Sequence, residues 1–177
     1  MSRGPFMIPG SNPRAQLIGA IAQASGEAFE ELLARHHRDA RQRGVARVRK
    51  VSQLVKILRA LGRGQFVVVF TGENGCDWKG SLRGGRAITA ESKSIAGPRL
   101  QRSMFEQHQI DDLDEAARFG ELALALVQLR IDGRPRRFAA PWPLAWKQDG
   151  RGAGVGLEEL APWEIREGEC YLERWAR

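Results

Sequence analysis

The run Leu122-Ala-Leu-Ala-Leu-Val-Gln-Leu-Arg-Ile131 constrains the fold of this 177-residue chain more than any other stretch. Gly120 stands just before it and Asp132-Gly133 just after it, and Asp-Gly beside an apolar run is a hairpin signal. A strand this long and apolar belongs in the interior of a sheet. Arg136-Arg-Phe-Ala-Ala140 is then the returning strand. Two more strands are predicted upstream. Gln65-Phe-Val-Val-Val-Phe70 is apolar and β-branched and reads as buried, and Arg86 to Lys93 follows a Gly84-Gly85 turn signal. Helical patterns separate these runs. Residues 15–43 predict a helix or helix pair, with Ser25 as a candidate N-cap, an apolar face of Phe29, Leu32 and Leu33, and Gly44 as the stop. Residues 100–119 predict another helix, carrying Met104, Phe105, Gln109, Leu113 and Ala116-Ala117 on one face and ending at Gly120. The order helix, strands, helix, strand, strand predicts an α/β fold, a mixed central β-sheet flanked by helices.

The ends and one internal segment differ in character. Residues 1–14, with Gly, Pro, Ser and Asn, predict a flexible N-terminal arm. Residues 45–64 are basic. Val45 to Val51 alternates in part as a half-exposed strand does, whereas Gln53 to Leu61 fits a short amphipathic helix ended by Gly62-Arg-Gly64. Residues 148–177 read as a linker, flexible through the glycines of 150–156, and a C-terminal tail that packs back on the body through Trp163, Tyr171, Leu172 and Trp175.

Composition narrows the partners. The net charge is +7 and the sequence pI is near 10.2. The charge is uneven: Arg35 to Arg63 holds ten Lys and Arg residues against one acid, Asp39, while acids outnumber bases from Leu157 onward. A basic block on an otherwise ordinary globular composition points to a polyanion. No apolar run approaches a membrane span, and the first residues lack the apolar core of a signal peptide, so no membrane partner is expected. Cys76 and Cys170 are too few for a disulfide framework, and a reduced, cytoplasmic setting is expected. No GxGxxG or phosphate loop is present, and no small-molecule cofactor is expected. His36-His37 lies on a basic helix with nothing nearby to complete a metal site, and reads as solvated or phosphate-touching.

The chemistry gathers at Asp77 and Glu91-Ser92-Lys93. On a strand, residues i and i+2 share a face, so Glu91 and Lys93 project together and Ser92 points away. A turn just before the hairpin can bring Asp77 beside them. Two carboxylates and an ammonium at a strand end suit a hard divalent cation, such as Mg2+ or Mn2+, able to activate water, and suit equally a solvated strand face carrying an ion pair.

These residues also fall into a recognisable series. Gly26-x-x-Phe29-Glu30, Asp77-Trp-Lys-Gly80, Glu91-Ser-Lys93 and Phe105-Glu-Gln-His108-Gln109-Ile110 resemble, in order and approximate spacing, the RecU-type Holliday junction resolvases of the restriction-endonuclease-like, or PD-(D/E)XK, nuclease superfamily. The resemblance spans roughly residues 25–147, which makes 15–147 a nuclease domain. It implies a restriction-endonuclease-like fold with a basic projection before the catalytic hairpin. It implies that Asp77 and Glu91 bind metal, that Lys93 positions water and stabilises phosphate charge, that Glu30 completes or orients the acidic cluster, and that Gln109 holds the catalytic strand or the scissile phosphate. It further implies a homodimer acting on four-way DNA junctions, with residues 45–64 in the place of the junction-probing stalk and Arg47, Arg49, Lys50, Lys56 and Arg59 as its DNA contacts. A duplex or flap nuclease on the same fold, a non-catalytic DNA-binding protein and a basic RNA-associated protein are the alternatives.

Overall fold

The computed structural model describes residues 13–52, 55–70, 75–149 and 152–176. Helix α1 (Pro13–Gln42) is a single element of 30 residues. Pro13 opens it, where a missing N–H leaves no hydrogen bond unmade. The chain leaves it at Gly44, whose φ of +66° suits a residue without a Cβ. Ser25 is therefore inside a helix and not at its start. Its hydroxyl lies 3.1 Å from that of Ser94, on the sheet.

Strand β1 (Ala46–Lys50) follows, then a hairpin of β2 (Val55–Gly62) and β3 (Gln65–Phe70), then β4 (Trp78–Leu82) and β5 (Ala87–Ala96). Gly84 and Gly85, at φ +93° and +96°, turn β4 back along β5 as the sequence predicts. The short β6 (Leu100–Gln101) leads to helix α2 (Gln107–Arg118), which carries the chain across to β7 (Leu122–Ile131). β7 returns as β8 (Arg134–Pro141) through Asp132 and Gly133, both at positive φ. That is the two-residue loop whose twist matches the strands it joins. β9 (Lys147–Asp149), β10 (Gly152–Val155) and the single helical turn α3 (Leu157–Leu160) precede the tail.

The main sheet has the order β1-β4-β5-β7-β8, with β5 and β7 parallel and the other pairs antiparallel. It is the mixed central sheet, flanked by helices, that the sequence predicts. β7 shows why its ten residues are so apolar. Leu122, Leu124 and Leu126 point into the core under α1 with Phe29 and Leu33. Ala123, Ala125, Val127 and Leu129 point into a second core under α2 with Ile110, Leu113 and Phe138. Both faces are covered, so both sets of alternating side chains must be apolar.

Several expectations change. Of the segment expected to be helical, Gln53 and Leu54 lie outside the described residues, and Val55 to Leu61 are not helical: they belong to β2, paired with β3 from Val55↔Phe70 to Gly62↔Gln65. The apolar spacing of Val55, Ile57, Leu58 and Leu61 fits a helix, but Arg63-Gly64 at φ +51° and +76° makes a two-residue hairpin turn that pairs the segment with the β-branched run after it. Gln65–Phe70 is consequently not a buried strand. It pairs with β2, outside the main sheet, and Phe66 is 52% exposed. The projecting element is this β2–β3 hairpin. Residues 100–119 are not one helix, because the side chain of Gln109 accepts the Glu106 N–H and starts α2 there, while Leu100-Gln101 pairs with β10. Of the glycine-rich stretch expected to be flexible, Gly152–Val155 is a strand between β6 and β9. In the C-terminal segment Leu160, Cys170, Tyr171 and Leu172 are buried. The N-terminal arm lies outside the described residues except for its last two, which begin α1. No helix among the described residues is long and apolar enough to cross a membrane.

Candidate active site

Pleating puts Glu91 and Lys93 on the α2 side of β5 and Ser92 and Ser94 on the α1 side. Lys93 Nζ lies 2.8 Å from Glu91 Oε1. Asp77 stands one residue before β4, and Trp78 pairs with Ala90, so Asp77 comes level with Glu91 across the ladder. Its backbone N–H donates to Glu91 Oε2 at 3.1 Å, and its own Oδ2 accepts the backbone N–H of Ser92 (3.2 Å) and the Ser92 hydroxyl (2.5 Å). Three of the predicted residues, Asp77, Glu91 and Lys93, thus meet at one end of the β4–β5 pair.

Gln109 joins them from α2. Its Oε1 accepts Lys93 Nζ at 2.8 Å and the Glu106 N–H at 3.0 Å. One side-chain oxygen both starts the helix and restrains the lysine. The Lys93 ammonium also lies 5.3 Å from the centre of the Phe105 ring, a cation–π arrangement. Asp112, further along α2, holds the approach to Asp77: its Oδ2 accepts the Cys76 N–H (2.6 Å) and its Oδ1 pairs with Lys79 (2.9 Å). Cys76 is fully buried, the packing residue its sequence context suggests, and burial pushes its thiol far up.

The electrostatics of the site centre on Glu91, which is 2% exposed. Burial first, and then the charge of Asp77, push its carboxyl up to about 7, against the pull of Lys93. Two close carboxylates with one ammonium have a charge deficit that a divalent cation would fill. Asp77 and Glu91 suit Mg2+, which keeps several waters and binds one or two carboxylates together with substrate phosphate oxygens. Among the described residues no three His, Cys, Asp or Glu side chains gather as a complete metal cage.

Glu30 approaches from α1. It pairs with Lys50 of β1 and, with His37, Arg38, Arg49 and Trp78, lines a cleft of about 510 Å3 between α1 and β1. The five predicted DNA contacts also divide. Arg47, Arg49 and Lys50 belong to β1, the edge strand of the main sheet, whereas Lys56 and Arg59 are on the exposed hairpin. His37 is not solvated: it is 3% exposed, and its Nε2 lies 2.6 Å from Tyr171 Oη. Sequence reasoning missed Ser92, Trp78, Asp112 and Arg38. For Ser92 a signal existed, since residue i+1 on a strand reaches the opposite face beside a turn carrying Asp77. The contacts of Asp112 come from an element distant in the chain.

No family model matches this chain, and no curated protein does. Among solved structures it is similar to Hjc, a Holliday junction resolvase from the archaeal hyperthermophile Archaeoglobus fulgidus, with a TM-score of 0.48 and 16% sequence identity over 82% of this chain and 99% of that chain.

Proposed function

We propose that the chain is a metal-dependent, structure-selective DNA endonuclease of the restriction-endonuclease-like kind, resolving four-way junctions as a homodimer. The observation that carries this reading is the convergence of Asp77, Glu91 and Lys93 at one strand end, with the lysine held by Glu91 and Gln109. Phosphodiester hydrolysis needs a water in line with the bond to be broken and positive charge where the phosphate gains negative charge. Asp77 and Glu91 would hold a Mg2+ or Mn2+ ion, which would supply Lewis acidity at the phosphate. Lys93 supplies fixed charge beside it. Its ammonium is restrained by two oxygens and a ring, so little reorganisation accompanies the reaction. As water adds to phosphorus it loses a proton to solvent, the P–O bond breaks, and the electron pair leaves with the sugar oxygen, which takes up a proton to become a hydroxyl.

The preference for branched DNA is carried by shape and charge. The β2–β3 hairpin projects with Lys56 and Arg59, and β1 and α1 add arginines around the cleft. Phosphate contacts of this sort bring affinity without base reading. Two symmetric nicks require two sites, which a two-fold dimer supplies.

The test is incubation with a synthetic four-way junction, a matched duplex and a flap, each with Mg2+ and with EDTA. Paired symmetric nicks in the junction, dependent on Mg2+ and absent in Asp77→Asn, are expected. Preferential cutting of the duplex or flap would favour the other nuclease reading. An inert wild type with either cation would leave a DNA-binding protein without catalysis.

A further inference from the structure

The C-terminal segment takes no part in the chemistry above, yet it is tied firmly to the body. Arg136 grips Glu164 with two nitrogens at 2.7 and 2.6 Å. The Ile165 N–H donates to the Arg137 carbonyl at 2.8 Å, and Trp163 stacks on Trp175. These anchors hold the turn Tyr171–Arg174 so that Tyr171 enters the core under α1, where it is 1% exposed.

From Tyr171 a continuous series of contacts runs to the candidate site. Tyr171 Oη lies 2.6 Å from His37 Nε2. The His37 ring meets Trp78 edge to face, with centroids 4.6 Å apart and planes at 74°. Trp78 Nε1 donates to Ser92 Oγ at 3.3 Å, and Ser92 Oγ donates to Asp77 Oδ2 at 2.5 Å. The direction of the last two bonds is set by chemistry. Indole can only donate, so it must take a lone pair of the serine, which leaves the single hydroxyl proton for the carboxylate. The Ser92 backbone N–H falls on the same oxygen. Asp77 Oδ2 therefore carries two hydrogen bonds, and Oδ1 is the oxygen offered to a ligand.

We propose that Tyr171, His37, Trp78 and Ser92 are positioning residues for Asp77, and that the C-terminal segment acts through them to set the geometry of the carboxylate that receives the divalent cation. The inference rests on the proposed role of Asp77. Groups that orient a metal-binding carboxylate typically change metal affinity ten- to a hundredfold when removed. A tail that merely completed the core would alter stability and leave the affinity alone.

The test measures Mn2+ affinity by calorimetry on the full chain without DNA, alongside thermal unfolding. Ser92→Ala is expected to weaken Mn2+ binding on the order of tenfold. Ser92→Thr, which restores the hydroxyl, should bind as wild type does. Trp78→Phe keeps an aromatic ring in the core but has no N–H, and Tyr171→Phe keeps the ring but has no hydroxyl. Each should weaken binding several-fold. Wild-type affinity in folded Trp78→Phe or Tyr171→Phe overturns the proposal. Ser92 is partly exposed and outside the packed core, so Ser92→Ala decides the matter if a core variant fails to fold: unchanged affinity there also overturns it. The failure of the underlying reading looks different. In that case wild type binds no Mn2+, or Asp77→Asn binds as well as wild type.

Discussion

Two apolar runs in this chain, Gln65–Phe70 and Leu122–Ile131, have similar composition and opposite surroundings. β7 has a strand along each edge and a helix over each face, and Leu124, Leu126, Val127 and Leu129 have no exposed surface. Among the described residues β3 pairs only with β2, and Phe66, Val68 and Val69 are 52%, 40% and 43% exposed. A two-stranded hairpin with no other support is marginal in water, and an apolar patch of this kind marks a surface that meets something else. An apolar strand therefore reports what its side chains tolerate and not what will cover them. On the proposed reading the two regions also divide labour: the sheet would hold the chemistry, and the hairpin would be free to hold recognition.

The division is broken most directly at the site. Asp77→Asn and Glu91→Gln keep the shape of the sheet and remove charge from it. Each should lower junction cleavage by at least about 10²–10³-fold, the range seen when charge stabilisation is lost. Junction binding, measured by gel shift, should persist. Cleavage close to that of wild type would move the chemistry out of the sheet.

Stability should divide the same way. Leu126→Ala is expected to cost about 2–5 kcal/mol. Ile57→Ala on the hairpin should stay within about 0.5 kcal/mol. Urea unfolding measures both. Equal costs would mean that the hairpin is covered in solution.

Within the site, Lys93→Ala should reduce kcat by about 10²-fold with little change in KM, because its charge acts at the transition state. Gln109→Ala should be milder, since Glu91 still pairs with the ammonium. A rise in KM that matched the fall in rate would make Lys93 a phosphate anchor.

A smaller effect tests the core behind the site. Burial, and next the neighbouring His36, lower His37 to about 4 from the usual 6.5. The unfolded chain takes up the proton first. The stability contributed by neutral His37 is therefore complete above about pH 6.5 and is lost as pH falls through about 4, a few kcal/mol at most. Urea midpoints measured at about pH 7.5 and about pH 5 should differ less in His37→Gln than in wild type. An unchanged difference would mean that His37 is protonated in the fold.

The smallest effect belongs to the hairpin. Lys56→Gln with Arg59→Gln should reduce the slope of log affinity against log salt by about one for each phosphate left without its cation. Junction binding should suffer more than duplex binding, because only a branched substrate can surround a projection. Equal weakening on both would make the hairpin charges a general coat.

Several features were legible in the sequence because they depend on local geometry alone. The pleat of a strand puts Glu91 and Lys93 on one face wherever the strand lies. Asp132-Gly133 and Gly84-Gly85 take positive φ because their chemistry permits it, and β7 needs two apolar faces to be the interior strand it is. Other features were decided only in three dimensions. Arg47, Arg49 and Lys50 were separated from Lys56 and Arg59 because β1 found β4 as a partner while β2 found β3. Gln109 serves a helix start and a lysine at once because α2 docks beside β5. His37 became a buried group because Tyr171, 134 residues away, arrives on top of it. Turn chemistry and strand period act over a few residues and are written in those residues. Burial and long-range hydrogen bonds depend on which distant segment arrives, and no short stretch of sequence carries that information.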